Sequence, residues 1–333
     1  MKKYDVYGIG NALVDIEYHT SLEKLNELDI EKGLMTLIDE KKQNNLIAHL
    51  DDSHETMACG GSAANTVIAL AQLGANTHFD CRVANDISGQ FYLQDLHDSG
   101  VHSSLLLDQS FIGITGKCLV FVTPDADRTM NTFLGASELL SIRDIDEEAI
   151  RHSDTVYLEG YLVSADCTRN AAIEARRIAE NAGVKTALTL SDPNMVIYFR
   201  TGIEEILGDG VDLLFANEDE ACELARSRNL NDAIEAIKKV AKTFAITRGK
   251  AGAMLYDGTE LIEIAAHEVE AIDTLGAGDL FAGAFLYGQS QGMSFKQSGD
   301  LASLASSRIV TQYGPRLAAS ETKKLLASFR SGI

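Results

Sequence analysis

Tryptophan is absent from the 333 residues, and proline occurs only three times. With no Gly/Ser-rich, Pro-rich or low-complexity run beside it, nothing reads as a flexible linker. Positive charge is also scarce: 29 Lys and Arg face 49 Asp and Glu, a formal net charge of −20. Phosphate backbones need a basic face, so a nucleic-acid partner is excluded. Small anions are not, because backbone N–H groups hold them without net positive charge. The five cysteines (Cys59, Cys81, Cys118, Cys167 and Cys222) are odd in number and form no C-x-x-C pair. That argues against a disulfide framework or a zinc site and for reduced thiols in a cytosol. No run approaches the roughly 18 apolar residues of a membrane span. Met1-Lys2-Lys3 followed by Asp5 does not open a signal peptide, so a cytoplasmic location is expected.

What is present is a hydrophobic fraction of 45%, enough for a packed core. The dominant rhythm is a short apolar run, a turn and a helix-period segment, the pattern of repeated β-α units. Strands are expected at 4–10, 77–83, 155–159, 185–190, 211–216 and 242–247. Helices are expected at 62–73, 89–98, 166–182, 218–226, 232–239, 277–291 and 295–311. Runs such as VDLLF and KTFAI are apolar nearly throughout, as strands covered on both faces are. The expected fold class is α/β, a mainly parallel sheet sandwiched by helices.

Two stretches break the rhythm. Residues 12–57 hold ALVDIEYHT and GLMTLID, and residues 112–136 hold IGITGKCLVFVT and RTMNTFLG. All four read as strands with too little helix between them for parallel crossovers. We expect a small antiparallel sheet built from these two excursions, beside a main α/β domain of residues 1–11, 58–111 and 137–333.

The most informative segment is DTLGAGD (Asp273–Asp279), which leads straight into the apolar helix LFAGAFLYG. Gly276, Ala277 and Gly278 are small enough to let backbone N–H groups face an anion at a helix N-terminus. Such a nest stabilises charge developing on a transferring phosphoryl group. Asp279 stands in the first turn of that helix, where a carboxylate can take a proton from a hydroxyl. The plain alternative is a Gly-rich turn with an acidic helix start. CGGSAANT (Cys59–Thr66) precedes another amphipathic helix. Gly60 and Gly61 allow a ligand to touch the backbone, and Asn65 offers a donor and an acceptor to a hydroxyl-rich substrate. Its alternative is an ordinary helix start capped by Ser62. SDPN (Ser191–Asn194), NEDE (Asn217–Glu220) and TRGKAG (Thr247–Gly252) each follow an expected strand. Ligands of open α/β sheets bind outside the carboxyl ends of strands. In GNALVDI, Asp15 is either an exposed strand residue or a carboxylate for sugar hydroxyls. Arg128 is either a surface charge or a phosphate clamp.

Absent motifs narrow the chemistry. Gly8-Ile9-Gly10 starts like a dinucleotide fingerprint, but residue 13 is Leu and a strand follows. There is no Walker-type G-x-x-x-x-G-K-[ST], no G-x-S-x-G elbow, no H-E-x-x-H and no protein-kinase H-R-D.

Taken in order along nearly the whole chain, GNALVDI, ACGGSAANT, NEDE, TRGKAG and DTLGAGD resemble the ribokinase family of small-molecule kinases, also called the pfkB carbohydrate kinases. The N-terminal GNALVDI, the long interval to Gly60 and the run VTPDADRTMNTFLGA look most like its bacterial adenosine kinase branch. The resemblance implies a Rossmann-like three-layer α/β sandwich carrying a small β-sheet lid. It also implies ATP-dependent phosphorylation of a primary hydroxymethyl group, on a nucleoside such as adenosine or alternatively on a sugar such as ribose or fructose. By that resemblance Asp279 is the catalytic base, with Gly276, Ala277 and Gly278 as the anion hole and Arg128 at the phosphates. Asp15, Gly60, Gly61, Asn65 and Asn11 match acceptor contacts. Asn217 and Glu220 match the N-x-x-E pair that organises phosphates and Mg²⁺, largely through water. Thr247, Gly249 and Gly252 match the nucleotide-binding turn, and Asn194 is grouped with them. Asp273, Leu275 and the loop 311–316 lie where some members bind a monovalent cation such as K⁺. Members exist as monomers and as dimers paired through the lid. Two features depart from the adenosine kinase pattern: Leu275 stands third in DTLGAGD, where Asn or Thr is usual, and SDPNM is closer to a sugar-kinase motif.

Overall fold

The computed structural model describes residues 2–33, 35–50, 56–105, 113–124 and 128–332. Parts of the expected excursions, including Ile112 and Asp125–Asp127, therefore lie outside the described residues, as does the expected domain boundary at 111. Among the described residues thirteen strands form in chain order: β1 (Tyr4–Ile9), β2 (Leu13–His19), β3 (Met35–Leu37), β4 (Thr56–Gly60), β5 (Thr77–Asp80), β6 (Thr115–Val122), β7 (Arg128–Gly135), β8 (Ser153–Glu159), β9 (Lys185–Thr189), β10 (Val211–Asn217), β11 (Ala241–Thr247), β12 (Ala253–Tyr256) and β13 (Leu261–Ile264). They make two sheets. The large one has eight strands in the order β13-β12-β11-β10-β9-β8-β1-β5, and the small one has five in the order β3-β7-β6-β2-β4.

Six neighbouring strands of the large sheet, from β11 to β5, pair in parallel, as their apolar runs require. Alternate residues feed opposite faces. Val6, Phe79, Tyr157, Leu213 and Phe215 pack under the helices Ser62–Leu73, Ala277–Ser290 and Phe295–Ile309. Tyr7, Ile9, Val156, Leu188, Leu214 and Phe244 pack under Asp166–Ala182, Arg200–Leu207 and Leu230–Ile237. β12 and β13 add an antiparallel hairpin at one edge, which the β-α rhythm does not announce.

The small sheet differs from expectation in two ways. It is mixed, because β2 pairs with β6 and β3 with β7 in parallel, while β2–β4 and β6–β7 are antiparallel. The chain leaves this sheet for the main body between β2 and β6, so the long path supplies the crossover that the local sequence does not. The second difference is a fifth strand, β4, which the sequence reading assigns partly to the main domain. Two short helices, Leu22–Glu27 and Glu40–Ala48, also belong to this region. Leu25 and Leu46 cover one face of the sheet together with Val14, Ile16, Tyr18, Leu119 and Phe121. The other face is left to the cleft described below.

Candidate active site

The carboxyl ends of the large sheet and the uncovered face of the small one enclose a cleft of about 630 Å³. Five of the six parallel strands deliver polar groups to it: Asn11 after β1, Glu159 from β8, Thr189 and Ser191 at the end of β9, Asn217 from β10 and Thr247 from β11. From the small sheet come residues two apart, Leu13 and Asp15, Cys118 and Val120, then Arg128, Met130, Thr132 and Leu134. Period-two projection puts them on one side.

Asp279 stands where two helix starts converge. Ser62 Oγ donates to its Oδ1 at 2.6 Å, and Asn65 Nδ2 donates to its Oδ2 at 3.0 Å. Burial raises its carboxyl to about 6, against the pull of those two hydrogen bonds. Ser62 therefore does not cap its helix. Gly61 occupies the N-cap position, and the Ser62 hydroxyl is released to orient Asp279. Asn65 is 6% exposed, and its Oδ1 is buried without a hydrogen-bond partner. One face of this amide thus positions the carboxylate while the other retains an acceptor beside the cleft.

The loop ahead of Asp279 has the expected form. Gly276 is the N-cap of the helix Ala277–Ser290 with φ +72°, and a Cβ there would lie 2.2 Å from Pro315 O. A Cβ on Gly278 would meet nothing, so its backbone opens on the cleft. First-turn N–H groups have no intrahelical acceptor. Ala277 contributes less than expected, because its N–H turns back to Thr274 O at 3.3 Å.

Asp15 stands opposite Ala58 in the β2–β4 pair, and its side chain leans diagonally over Gly60. A Cβ on Gly60 would fall 2.1 Å from Asp15 Oδ1, so this glycine makes room for the carboxylate and does not itself line the cleft. Burial raises Asp15 to about 7, with Arg316 and Arg128 opposing the rise and Asp279 adding to it. Glu159, which the sequence reading overlooks, is fully buried behind these groups. Its two oxygens accept the N–H of Asn11 at 2.7 Å and of Ala63 at 2.8 Å, tying β1 to the helix bearing Ser62 and Asn65. Burial raises it to about 7. Asn11 is 3% exposed and takes a hydrogen bond from Ser137 Oγ on its Oδ1.

Asn217 and Glu220 lock each other in a reciprocal capping box. Asn217 N–H and Nδ2 donate to the two Glu220 oxygens at 2.9 and 2.7 Å, and Glu220 N–H donates to Asn217 Oδ1 at 2.8 Å. Burial raises Glu220 to about 7. With both oxygens already engaged, the pair fits a hydrated ion carried on a nucleotide's phosphates rather than one bound directly. Among the described residues no group of three or more His, Cys, Asp and Glu is placed to hold a metal. Thr247 lines the cleft, whereas Gly249 and Gly252 form the next turn, where Lys250 and Ala251 border a second, more open depression with Ala266–Glu270. Asn194 is exposed in the short helix Pro193–Tyr198 and does not line the cleft.

Arg128 is not a surface charge: it borders the cleft with its guanidinium engaged by two carboxylates. Its side chain is 8% exposed and pairs with Glu17 Oε2 at 3.0 Å and Asp273 Oδ2 at 2.9 Å. Asp273 also accepts the N–H of Leu275 at 3.0 Å and of Gly314 at 2.9 Å. A carboxylate so engaged does not fit the monovalent cation expected at Asp273, Leu275 and the 311–316 loop.

Among the described residues no helix is long and apolar enough to cross a membrane, and all five cysteines are free. The pfkB family carbohydrate kinase model matches residues 34–323. A crystal structure described as a probable sugar kinase from Rhizobium etli CFN 42 superposes with a TM-score of 0.90 at 34% identity, covering 99% of this chain and 100% of that one. The adenosine kinase of Sinorhizobium meliloti does so with a TM-score of 0.90 at 35% identity and the same coverage. The adenosine kinase of Dictyostelium discoideum is 24% identical over 97% of this chain and 99% of its own length. The chain belongs to the pfkB family of carbohydrate kinases, phosphotransferases that act on an alcohol group.

Proposed function

We propose that this kinase transfers the γ-phosphoryl group of MgATP to the 5′-hydroxyl of a nucleoside, adenosine first among them. The observation that carries the reading is the face the small sheet turns to the cleft. Leu13, Met35, Cys118, Val120, Met130 and Leu134 form an apolar wall on the side that also bears Asp15. A ribose hydroxyl pair is the natural partner of that carboxylate, and a purine base is the natural filling for the wall. A free sugar would leave these side chains facing hydroxyls, at the cost of desolvating them unpaired. The likeness to the Sinorhizobium adenosine kinase supports this assignment. The Rhizobium protein, equally similar, keeps a sugar acceptor as the second reading, favoured also by SDPNM.

In the proposed reaction Asp279 accepts the proton of the attacking CH₂–OH, oriented by Ser62 and Asn65. The N–H groups of Gly276, Gly278 and Asp279 take up charge on the transferring group, a task that is mostly positioning and electrostatics. Glu220 and Asn217 are the residues that would hold Mg²⁺ arriving with the nucleotide, and the ion would supply neutralisation of phosphate charge. The small sheet acts as a lid that keeps water from competing with the acceptor. ATP consumption measured with adenosine, inosine, guanosine, ribose and fructose tests the assignment. A kcat/KM for adenosine well above that for both sugars is expected, and a higher value for ribose or fructose would replace nucleoside by sugar.

A further inference from the structure

We propose that Arg128 is itself the cation of the phosphate-holding loop: a guanidinium on the small sheet fills the electrostatic role of a monovalent ion at Asp273, and so makes order in that loop depend on contact between the two sheets. The inference rests on reading Gly276–Asp279 as the anion hole.

Asp273 is 6% exposed, and it opens the loop that ends at Asp279. A buried carboxylate there needs a positive partner, the more so because Asp15, Glu159, Glu220 and Asp279 crowd the same cleft. The partner present is Arg128 Nη2 at 2.9 Å. The guanidinium is held in turn by Glu17 at 3.0 Å, from the neighbouring part of the small sheet, and lies 5.8 Å from the Tyr313 ring centre. An alkali ion within bonding reach of Asp273 Oδ2 would sit against this fixed positive charge. Asp273 distributes the constraint. Its Oδ1 holds Leu275 N–H, one residue before Gly276, and its Oδ2 holds Gly314 N–H, beside the Pro315 carbonyl that packs on Gly276. A planar fork spans two carboxylates in a way that a lysine's single ammonium does not. Arg128 is therefore a positioning residue. It touches no reacting atom, and it neutralises the residue that shapes the loop.

The test begins with the wild type. At constant ionic strength, kcat with saturating substrates is expected to be the same in K⁺, Na⁺ and tetramethylammonium salts. Arg128→Ala is expected to lower kcat by about ten- to a hundredfold, the scale of losing one close charge contact. Added guanidinium chloride at non-denaturing concentration should restore part of that loss, and Asp273→Asn in the same background should abolish the rescue. Arg128→Lys, closer in shape and charge, should fall between the two and serves where the alanine variant does not fold. A wild-type rate several-fold higher in K⁺ than in tetramethylammonium would overturn the proposal, as would an unchanged kcat in Arg128→Ala or a defect that guanidinium does not relieve. Asp279→Asn separates this inference from the reading beneath it. If that variant is inactive while Arg128→Ala is normal, only the role of Arg128 fails, and if it stays active the reading of Asp279 and its loop as the phosphoryl-transfer site fails first.

Discussion

In the proposed reaction Asp279 must be both a base and a buried group, and these demands conflict. Burial lifts its carboxyl to about 6, which leaves it ionised at neutral pH yet more basic than a solvated aspartate. Ser62 and Asn65 limit the lift by bonding the charged form. The proton-accepting form is lost as pH falls through that value, so kcat is expected to decline below about pH 6. Ser62→Ala removes a hydrogen bond to the carboxylate, which raises its pKa and should move this limb to higher pH. Asp279→Asn should bind MgATP normally by calorimetry while kcat drops by about 10²–10⁴, the usual scale for loss of a general base. A pH limb that stays in place in Ser62→Ala would mean the hydroxyl does not tune the base. A sequence reader places Ser62 as a cap because Ser before an apolar helix so often is one. Only the crossing of two helices more than two hundred residues apart in sequence reveals its other task.

At the scale of elements, the β2–β4 pairing does chemical work. Its register sets Asp15 opposite Ala58 and Leu13 opposite Gly60, and the missing Cβ of Gly60 leaves the space the carboxylate fills. Asp15→Ala is expected to weaken acceptor binding by about ten- to a hundredfold with MgATP binding intact. Gly60→Ala should give a similar acceptor-specific loss by displacing the carboxylate. The two losses should not add, since Gly60→Ala has nothing left to displace once Asp15 is gone. Calorimetry on both single variants and the double variant checks this, and additive losses would mean Gly60 acts on the strand itself. Much of this architecture is legible in the chain. The helices 62–73 and 166–182 have the bounds that their periodicity predicts, the NEDE and TRGKAG turns follow strands β10 and β11, and DTLGAGD leads into the helix Ala277–Ser290 at the cleft. The mixed pairing of the small sheet is not legible, because parallel partners such as β2 and β6 are set by a path through the main body. Glu159 is missed because TVYLE reads as an ordinary strand, and the N–H groups it binds come from elsewhere in the chain. The β12–β13 hairpin does leave a signal, the Asp257-Gly258 turn pair between two short apolar runs.

For the molecule as a whole, a cleft built from acids sets the response to pH. Burial raises Asp15, Glu159 and Glu220 to about 7 and Asp279 to about 6. In the unfolded chain such groups titrate near about 4. Between those values the native state holds more protons, so unfolding releases them and stability falls as pH rises through the window from about 4 to about 7. Asp95, Asp146 and Asp212 act oppositely, since their carboxyls lie below the ordinary range. Their contribution is present above the unfolded value and disappears only as pH drops below about 4, outside the first window. A net charge of −20 adds self-repulsion that grows toward alkaline pH. The ligand-free protein should therefore melt a few degrees higher near pH 5.5 than near pH 8, about 1 kcal/mol corresponding to a few degrees in a chain of this size. Asp279→Asn removes one of the buried groups that must ionise without a counter-ion in contact, so its melting temperature at pH 8 should exceed the wild type's and its slope with pH should be shallower, even as activity is lost. Differential scanning calorimetry of both proteins across this range decides the matter. A melting temperature that rises from pH 5.5 to pH 8, or equal slopes in the two proteins, would mean the cleft carboxyls are ionised at no cost to the fold.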